Sequence, residues 1–145
     1  MNPKKIIGLD LGSKTCGMAI SDGLGMFAHP IETLYHDDNL EQLKAPLAEI
    51  IEKERVSEIA LGYPKMMNND VGIRAQISEE FKDLLESWFD VEVILIDERL
   101  TTAAATRQLI SADVSRKKRK KVVDQLAAVQ ILQSYLDRKR FLQGE

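Results

Sequence analysis

The feature that most constrains this chain is the stretch Lys4, Lys5, Ile6, Ile7, Gly8, Leu9, Asp10, Leu11, Gly12. Its apolar run is short enough for a central β-strand, and Gly12 begins a turn. Asp10 therefore falls where a buried strand leaves the core. An ionised carboxylate between two leucines is poorly solvated and needs a cation, a metal or several N–H donors. The stretch alone leaves two readings open: a carboxylate that closes a tight turn by accepting backbone N–H bonds, or a functional acid.

The turn after Gly12 is too short for a helical crossover, so residues 16–21 form a second strand antiparallel to the first. A turn at Asp22, Gly23, Leu24 and Gly25 leads to a third strand over residues 26–34. Pro30 puts that strand at an edge, because proline cannot donate to a ladder. Residues 39–55 read as a helix capped by Asp38 or Asn39, with Leu40, Leu43, Leu47, Ile50 and Ile51 on its apolar face. Pro46 either kinks this helix or marks its true start. Then come a strand over 58–61, a loop over 63–72 and a helix over 73–89 bearing Ile77, Phe81, Leu84, Leu85 and Trp88. A β-branched strand over 91–96 is followed by a helix over 103–110. The segment 111–121 is polar and basic, and a final helix spans 122–140. A meander followed by βαβα implies an α/β fold: a mixed five-stranded sheet, three antiparallel strands then two parallel ones, with helices on both faces.

With 145 residues and no internal repeat, one domain covering 1–145 is expected. A single cysteine, Cys16, excludes an internal disulfide, and it reads as a small buried strand residue. No signal segment or run of 18 apolar residues exists, so a cytoplasmic protein without membrane contact is expected.

The net charge of −3 argues against a polyanionic partner, but its distribution does not. Arg116, Lys117, Lys118, Arg119, Lys120 and Lys121 are consecutive; without them 14 cations face 23 acids, a balance of −9. Such a block on an acidic body is a local footprint for phosphates, although charge runs also occur as solvated, disordered segments.

Two strands end in carboxylates, Asp10 and then Asp97 with Glu98. Sites in open α/β sheets lie beyond the carboxyl ends of strands, so parallel neighbours would bring Asp10 and Glu98 to one edge. A third acid, Asp124, begins the stripe continued by Ala128, Ile131 and Tyr135 on the last helix. Asp124 could equally be a first-turn acid favoured by the helix dipole. Three carboxylates at one edge repel each other unless a cation lies between them. Without a Cys/His cluster, Mg²⁺ or Mn²⁺ is favoured over Zn²⁺. His29 and His36 lack ligand spacing and read as surface or core residues. Acids beside a cationic segment suggest phosphodiester hydrolysis with two metals, Asp10 bridging them and Glu98 and Asp124 completing one each. The candidate phosphate contacts are Lys14, Lys65, Arg74, Arg99 and the run Arg116, Lys117, Lys118, Arg119, Lys120 and Lys121.

Several motifs occur together in order: Gly8-Leu9-Asp10-Leu11-Gly12-Ser13-Lys14, Ala19-Ile20-Ser21-Asp22, Gly62-Tyr63-Pro64-Lys65, Asp97-Glu98-Arg99-Leu100-Thr101-Thr102 and Asp124-Gln125-Leu126-Ala127-Ala128. Over essentially its whole length the chain thereby resembles the YqgF (RuvX) family of Holliday-junction-resolvase-like proteins, described as pre-16S rRNA nucleases. The resemblance implies an RNase H-like fold, a divalent-metal triad on Asp10, Glu98 and Asp124, and trimming of the 5′ end of precursor 16S rRNA. It also carries a weaker implication of branched-DNA resolution, which rests on fold. Two positions depart from the pattern: Thr15 where many members carry Arg, which removes one possible phosphate contact, and Asn69 where they carry Gly.

Two further readings compete. A non-cleaving RNA-binding scaffold would keep the basic segment and lose the chemistry. An ATPase of the actin and Hsp70 type shares the first-strand pattern but needs two related halves, which 145 residues do not supply. A monomer or weak homodimer is expected, with segments 63–72 and 111–121 the most mobile parts of the free protein.

Overall fold

The computed structural model describes residues 5–12, 14–63, 73–97 and 116–142; for 73, 74, 116–124 and 140–142 it describes the backbone alone. Five strands form one sheet: β1 (Lys5–Leu11), β2 (Thr15–Ser21), β3 (Ala28–Tyr35), β4 (Val56–Tyr63) and β5 (Glu92–Asp97), in the order β3-β2-β1-β4-β5. β1 is antiparallel to β2 and β2 to β3, whereas β4 is parallel to both β1 and β5. The mixed sheet expected from the sequence is the one found. Pro30 lies on the edge strand, beside a register shift between Gly17 and Ala19, so its missing N–H costs no ladder bond.

Alternation along the strands sorts the core into two layers. Ile7, Leu9 and Leu11 of β1 join Leu61 and Val93 beneath two helices, α1 (Lys44–Glu54) and α2 (Ile73–Trp88), represented by Leu47, Phe81 and Leu85. Ile6 faces the other way and packs with Ala19, Ala60 and Ile96 under Ala128, Ile131, Leu132 and Tyr135 of the third helix, α3 (Arg116–Leu142). Helices therefore cover both faces.

Asn39 caps a short 3-10 turn, Leu40–Leu43, by accepting from the Glu41 N–H at 3.1 Å. The α-helix proper starts at Lys44, so Pro46 sits in its first turn, where its missing N–H has no intrahelical partner to lose. Pro46 marks the start and is no kink. Asp38, in the left-handed region at φ 60°, turns the chain out of β3 into this element.

One reading needs correction. The last helix begins at Arg116, six residues before the expected start at 122, so the cationic run is helical and not a loop. Lysine and arginine are good helix formers, and a helix anchored by the buried 127–136 segment extends through them at little cost. The loop expected over 63–72 does not begin at Tyr63, which ends β4 paired with Asp97; the rest of it, the helix over 103–110 and residues 111–115 lie outside the described residues.

Candidate active site

Asp10 is buried, with only 3% of its surface exposed, near the carboxyl end of the central strand. It shares a face with Ile6 and Gly8, the face covered by α3. An ideal Cβ on Gly8 would lie 2.7 Å from Leu132 Cβ and 2.8 Å from the Ala128 carbonyl oxygen. The helix backbone thus rests directly on β1, an approach only glycine permits.

The direction of α3 follows from its far end. Glu58, near the start of β4, accepts from the Tyr135 hydroxyl and from Lys139 Nζ, each at 2.7 Å. Burial opposes the Glu58 charge, but the bonds from Lys139 and Tyr135 outweigh it and hold the carboxyl below its usual range. The same burial and the Glu58 contact push the Tyr135 phenol up. Gln133 ties the helix to the start of β3 by donating to the Met26 carbonyl and accepting from the Ala28 N–H, each at 2.9 Å. α3 therefore runs against β1. Position 124 lies one turn before Ala128, roughly 6 Å along the axis, and Asp10 lies about 6.6 Å beyond Gly8. The backbone accordingly brings positions 10 and 124 to the same level.

β1 and β5 are parallel but not neighbours, because β4 separates them. Their ends share one edge about 9.6 Å apart, two strand spacings. Alternation assigns Ile96 to the α3 face and Asp97 to the α1/α2 face. Asp97 is thus on the opposite face from Asp10. Glu98, Lys65 and Arg99 lie outside the described residues, and the side chains of Asp124, Arg74 and the run 116–121 are likewise outside them. Among the described residues no group of three or more His, Cys, Asp or Glu side chains forms a metal cluster. What the described part offers a cation is a buried carboxylate at a strand end, a hard oxygen donor of the kind that suits a hard divalent cation.

The turn after β1 is held tightly. The Gly12 N–H donates to the Thr15 carbonyl at 2.7 Å, and His36 Nε2 donates to the Gly12 carbonyl at 3.0 Å. The buried Thr15 side chain packs into this turn, its Oγ1 2.9 Å from where a Gly12 Cβ would stand. Thr15 is a turn residue here, and the neighbouring Lys14 is the exposed cation. Cys16 is fully buried and His29 exposed, as expected.

Sequence reasoning gave Tyr63 no role. It ends β4 opposite Asp97, and its hydroxyl donates to Glu79 of α2 at 2.7 Å, which raises the phenol's pKa. The contact latches α2 to the site edge. Its signal was present in the Gly62-Tyr63-Pro64-Lys65 motif, but nothing in the spacing names Glu79 as the acceptor.

A family model for RuvX, described as Holliday junction resolvase, matches residues 4–138. A protein of Geobacillus sp. (strain WCH70) named "Putative pre-16S rRNA nuclease" is 56% identical over 138 residues, covering 94% of this chain and 99% of that one. A protein of Listeria monocytogenes serotype 4b (strain CLIP80459) with the same name is 53% identical over 134 residues, covering 92% and 97%. Among solved structures, T. thermophilus RuvC in complex with Holliday junction substrate aligns with a TM-score of 0.58 at 13% identity, covering 94% and 96%. The fowlpox virus Holliday junction resolvase aligns at 0.51 and 19%, covering 92% and 99%. At those identities the likeness is one of fold, and the fold is RNase H-like.

Proposed function

The chain belongs to the RuvX family, and from that membership and the strand edge described above we propose a metal-dependent endonuclease that matures the 5′ end of precursor 16S rRNA. The observation that carries the chemistry is Asp10, a buried carboxylate at the end of the central strand. The placement of Asp97 on the other face supports its neighbour Glu98 as the second acid, and the course of α3 supports Asp124 as the third. These residues would hold Mg²⁺ or Mn²⁺, which supplies Lewis-acid charge and an acidified water for phosphodiester hydrolysis.

The chain's own part is to hold and to exclude. Burial of Asp10 puts its carboxyl group in a low-dielectric setting, where its attraction for a cation would be strong. The Gly12 turn, clamped by His36 and Thr15, fixes the end of β1. Lys14, Lys65, Arg74, Arg99 and the run Arg116, Lys117, Lys118, Arg119, Lys120 and Lys121 hold the phosphate backbone. A role on precursor rRNA puts the protein in the cytoplasm, as a monomer or weak homodimer. Among the described residues no helix is long and apolar enough to cross a membrane.

A second reading, resolution of four-way DNA junctions, is favoured by the description of the matching family model. One experiment separates the two. An end-labelled 5′ precursor of 16S rRNA and a four-way DNA junction are incubated with the protein and Mg²⁺, Mn²⁺ or EDTA, beside Asp10→Asn, Glu98→Gln and Asp124→Asn. Metal-dependent cleavage of the RNA, reduced at least about 10²-fold in each variant, is expected. Cleavage of the junction alone selects the DNA reading. Binding of RNA without cleavage moves the function to a non-cleaving scaffold.

A further inference from the structure

A groove of about 460 Å³ opens at the end of the β1–β2 hairpin, lined by Lys14, Tyr35, His36, Asp37 and Gln42. That volume lies within the range of small-ligand sites. The groove opens at the same sheet edge as Asp10. The pairings Asp10 with Gly17, Gly17 with Thr33 and Thr15 with Tyr35 put Tyr35 on Asp10's face. Two strands across and two residues along make the backbone separation of positions 10 and 35 roughly 12 Å.

The lining is chemically mixed. Tyr35 is 65% exposed at the end of β3. Lys14 is an exposed cation. Gln42 Oε1 accepts from the Asp37 N–H at 2.6 Å, which leaves the Gln42 amide nitrogen as a donor beside the Asp37 carboxylate. His36 is only 7% exposed. Its Nε2 must donate, because the Gly12 carbonyl can only accept. Its Nδ1 is the one buried side-chain nitrogen or oxygen among the described residues without a hydrogen-bond partner. Such orphans are rare and mark strain or a missing partner.

A free phosphate would use Lys14 but be repelled by Asp37 and ignore Tyr35. A nucleotide uses all of them: its π-face on the phenol ring, its phosphate on the ammonium, its polar edge on the carboxylate and amide. We propose that this groove takes one unstacked nucleotide of the strand being processed, with its base on Tyr35 and its phosphate against Lys14. His36 joins the groove to the Gly12 turn that ends the Asp10 strand. The inference rests on the nuclease reading.

The test uses the full chain carrying Asp10→Asn, its folding checked by circular dichroism, and a fluorescent single-stranded oligonucleotide from the 5′ precursor region. Fluorescence anisotropy measures its Kd, and a scan places one abasic residue at each position in turn. Tyr35→Ala is expected to raise Kd about tenfold or more, and Tyr35→Phe, which keeps the ring, to restore tight binding. One abasic position should weaken binding only when Tyr35 is present. Unchanged binding by Tyr35→Ala, or no abasic position whose effect depends on Tyr35, overturns the groove. If the unmutated protein still cuts the precursor in that case, the nuclease reading stands and the groove alone falls. If no strand is bound by any variant, both fall together.

Discussion

Gly8→Ala is the sharpest probe of how α3 is set on the sheet. The added methyl would stand 2.7 Å from Leu132 Cβ and 2.8 Å from the Ala128 carbonyl, whereas ordinary contact begins near 3.4 Å. Neither obstacle is the flexible end of a side chain. The helix must therefore lift by about 0.7–1 Å, or β1 must bow. Overpacking of this kind costs about 1–3 kcal/mol, and alanine's smaller chain entropy returns about 0.5–1. The expected loss is about 1–2 kcal/mol, read as a urea midpoint lower by roughly 0.5–1 M at a slope on the order of 2 kcal/mol/M. The effect on cleavage should be larger, because the lift carries position 124 away from Asp10, and about 1 Å of misplacement can cost on the order of 10²-fold. Leu132→Ala supplies a control: alanine keeps the offending Cβ, so Gly8→Ala/Leu132→Ala should show no rescue. A Gly8→Ala protein with an unchanged midpoint and full cleavage would refute the close approach and, with it, the levelling of positions 10 and 124.

The latch at the other end of α3 makes a pH prediction. Tyr135→Phe removes one bond to the Glu58 carboxylate and should cost about 1.5–2 kcal/mol in urea unfolding at pH 7. Glu58 titrates below its ordinary value in the folded state, so its contribution is present above pH 4.5 and is lost as pH falls below that value. The Tyr135 phenol is raised, so its contribution is present below pH 10 and is lost as the pH rises above that value. Glu58→Gln should flatten the acid limb of the profile, and an unchanged limb would remove the latch from the account. Neutralising Lys117, Lys118, Lys120 and Lys121 to Gln should reduce the slope of log Kobs against log salt by about 0.7 for each phosphate of single-stranded RNA that is no longer neutralised. An unaltered slope would take the run out of the interface. Tyr63→Phe frees α2 from the site edge and should lower cleavage several-fold while leaving the thermal unfolding midpoint nearly unchanged.

The order of strands was legible because each signal was local and physical. A short apolar run and a turn too short for a crossover wrote the meander, Pro30 wrote the edge, and the spacing of Leu43, Leu47, Phe81 and Leu85 wrote two helix faces. Asp10 stood out because a carboxylate in an apolar strand has to be accounted for. What escaped was set by partners far away in the chain. The fourth strand read as 58–61, yet Gly62 pairs with Ile96 inside a strand that runs to Tyr63, since pairing and burial override a weak residue preference. Nothing in the sequence said that β4 stands between β1 and β5. The role of Gly8 is invisible without α3, because a glycine reads as freedom until something is seen to lie against it. The start of α3 was misread because charge patterning reports solvation, whereas helix continuation depends on propensity and on the anchored turns that follow.

That misreading changes the electrostatics of the molecule. Six consecutive residues advance 100° each around a helix, so positions 116–121 go fully round it and form no stripe. They occupy the first turns, where the helix dipole adds about half a positive charge and makes their own charges unfavourable. An anion at that end offsets both costs. The six residues lie roughly 5–12 Å beyond position 124 along the axis, and α3 runs against β1, so they extend past the edge where Asp10 sits. The remainder of the chain carries −9 and repels a polyanion. On the proposed nuclease reading, a phosphate strand is drawn chiefly to this end of α3, with Lys14 a further cation at the same sheet edge. A net negative charge is then no argument against nucleic acid: the acidic body sharpens the steering that the basic helix end provides.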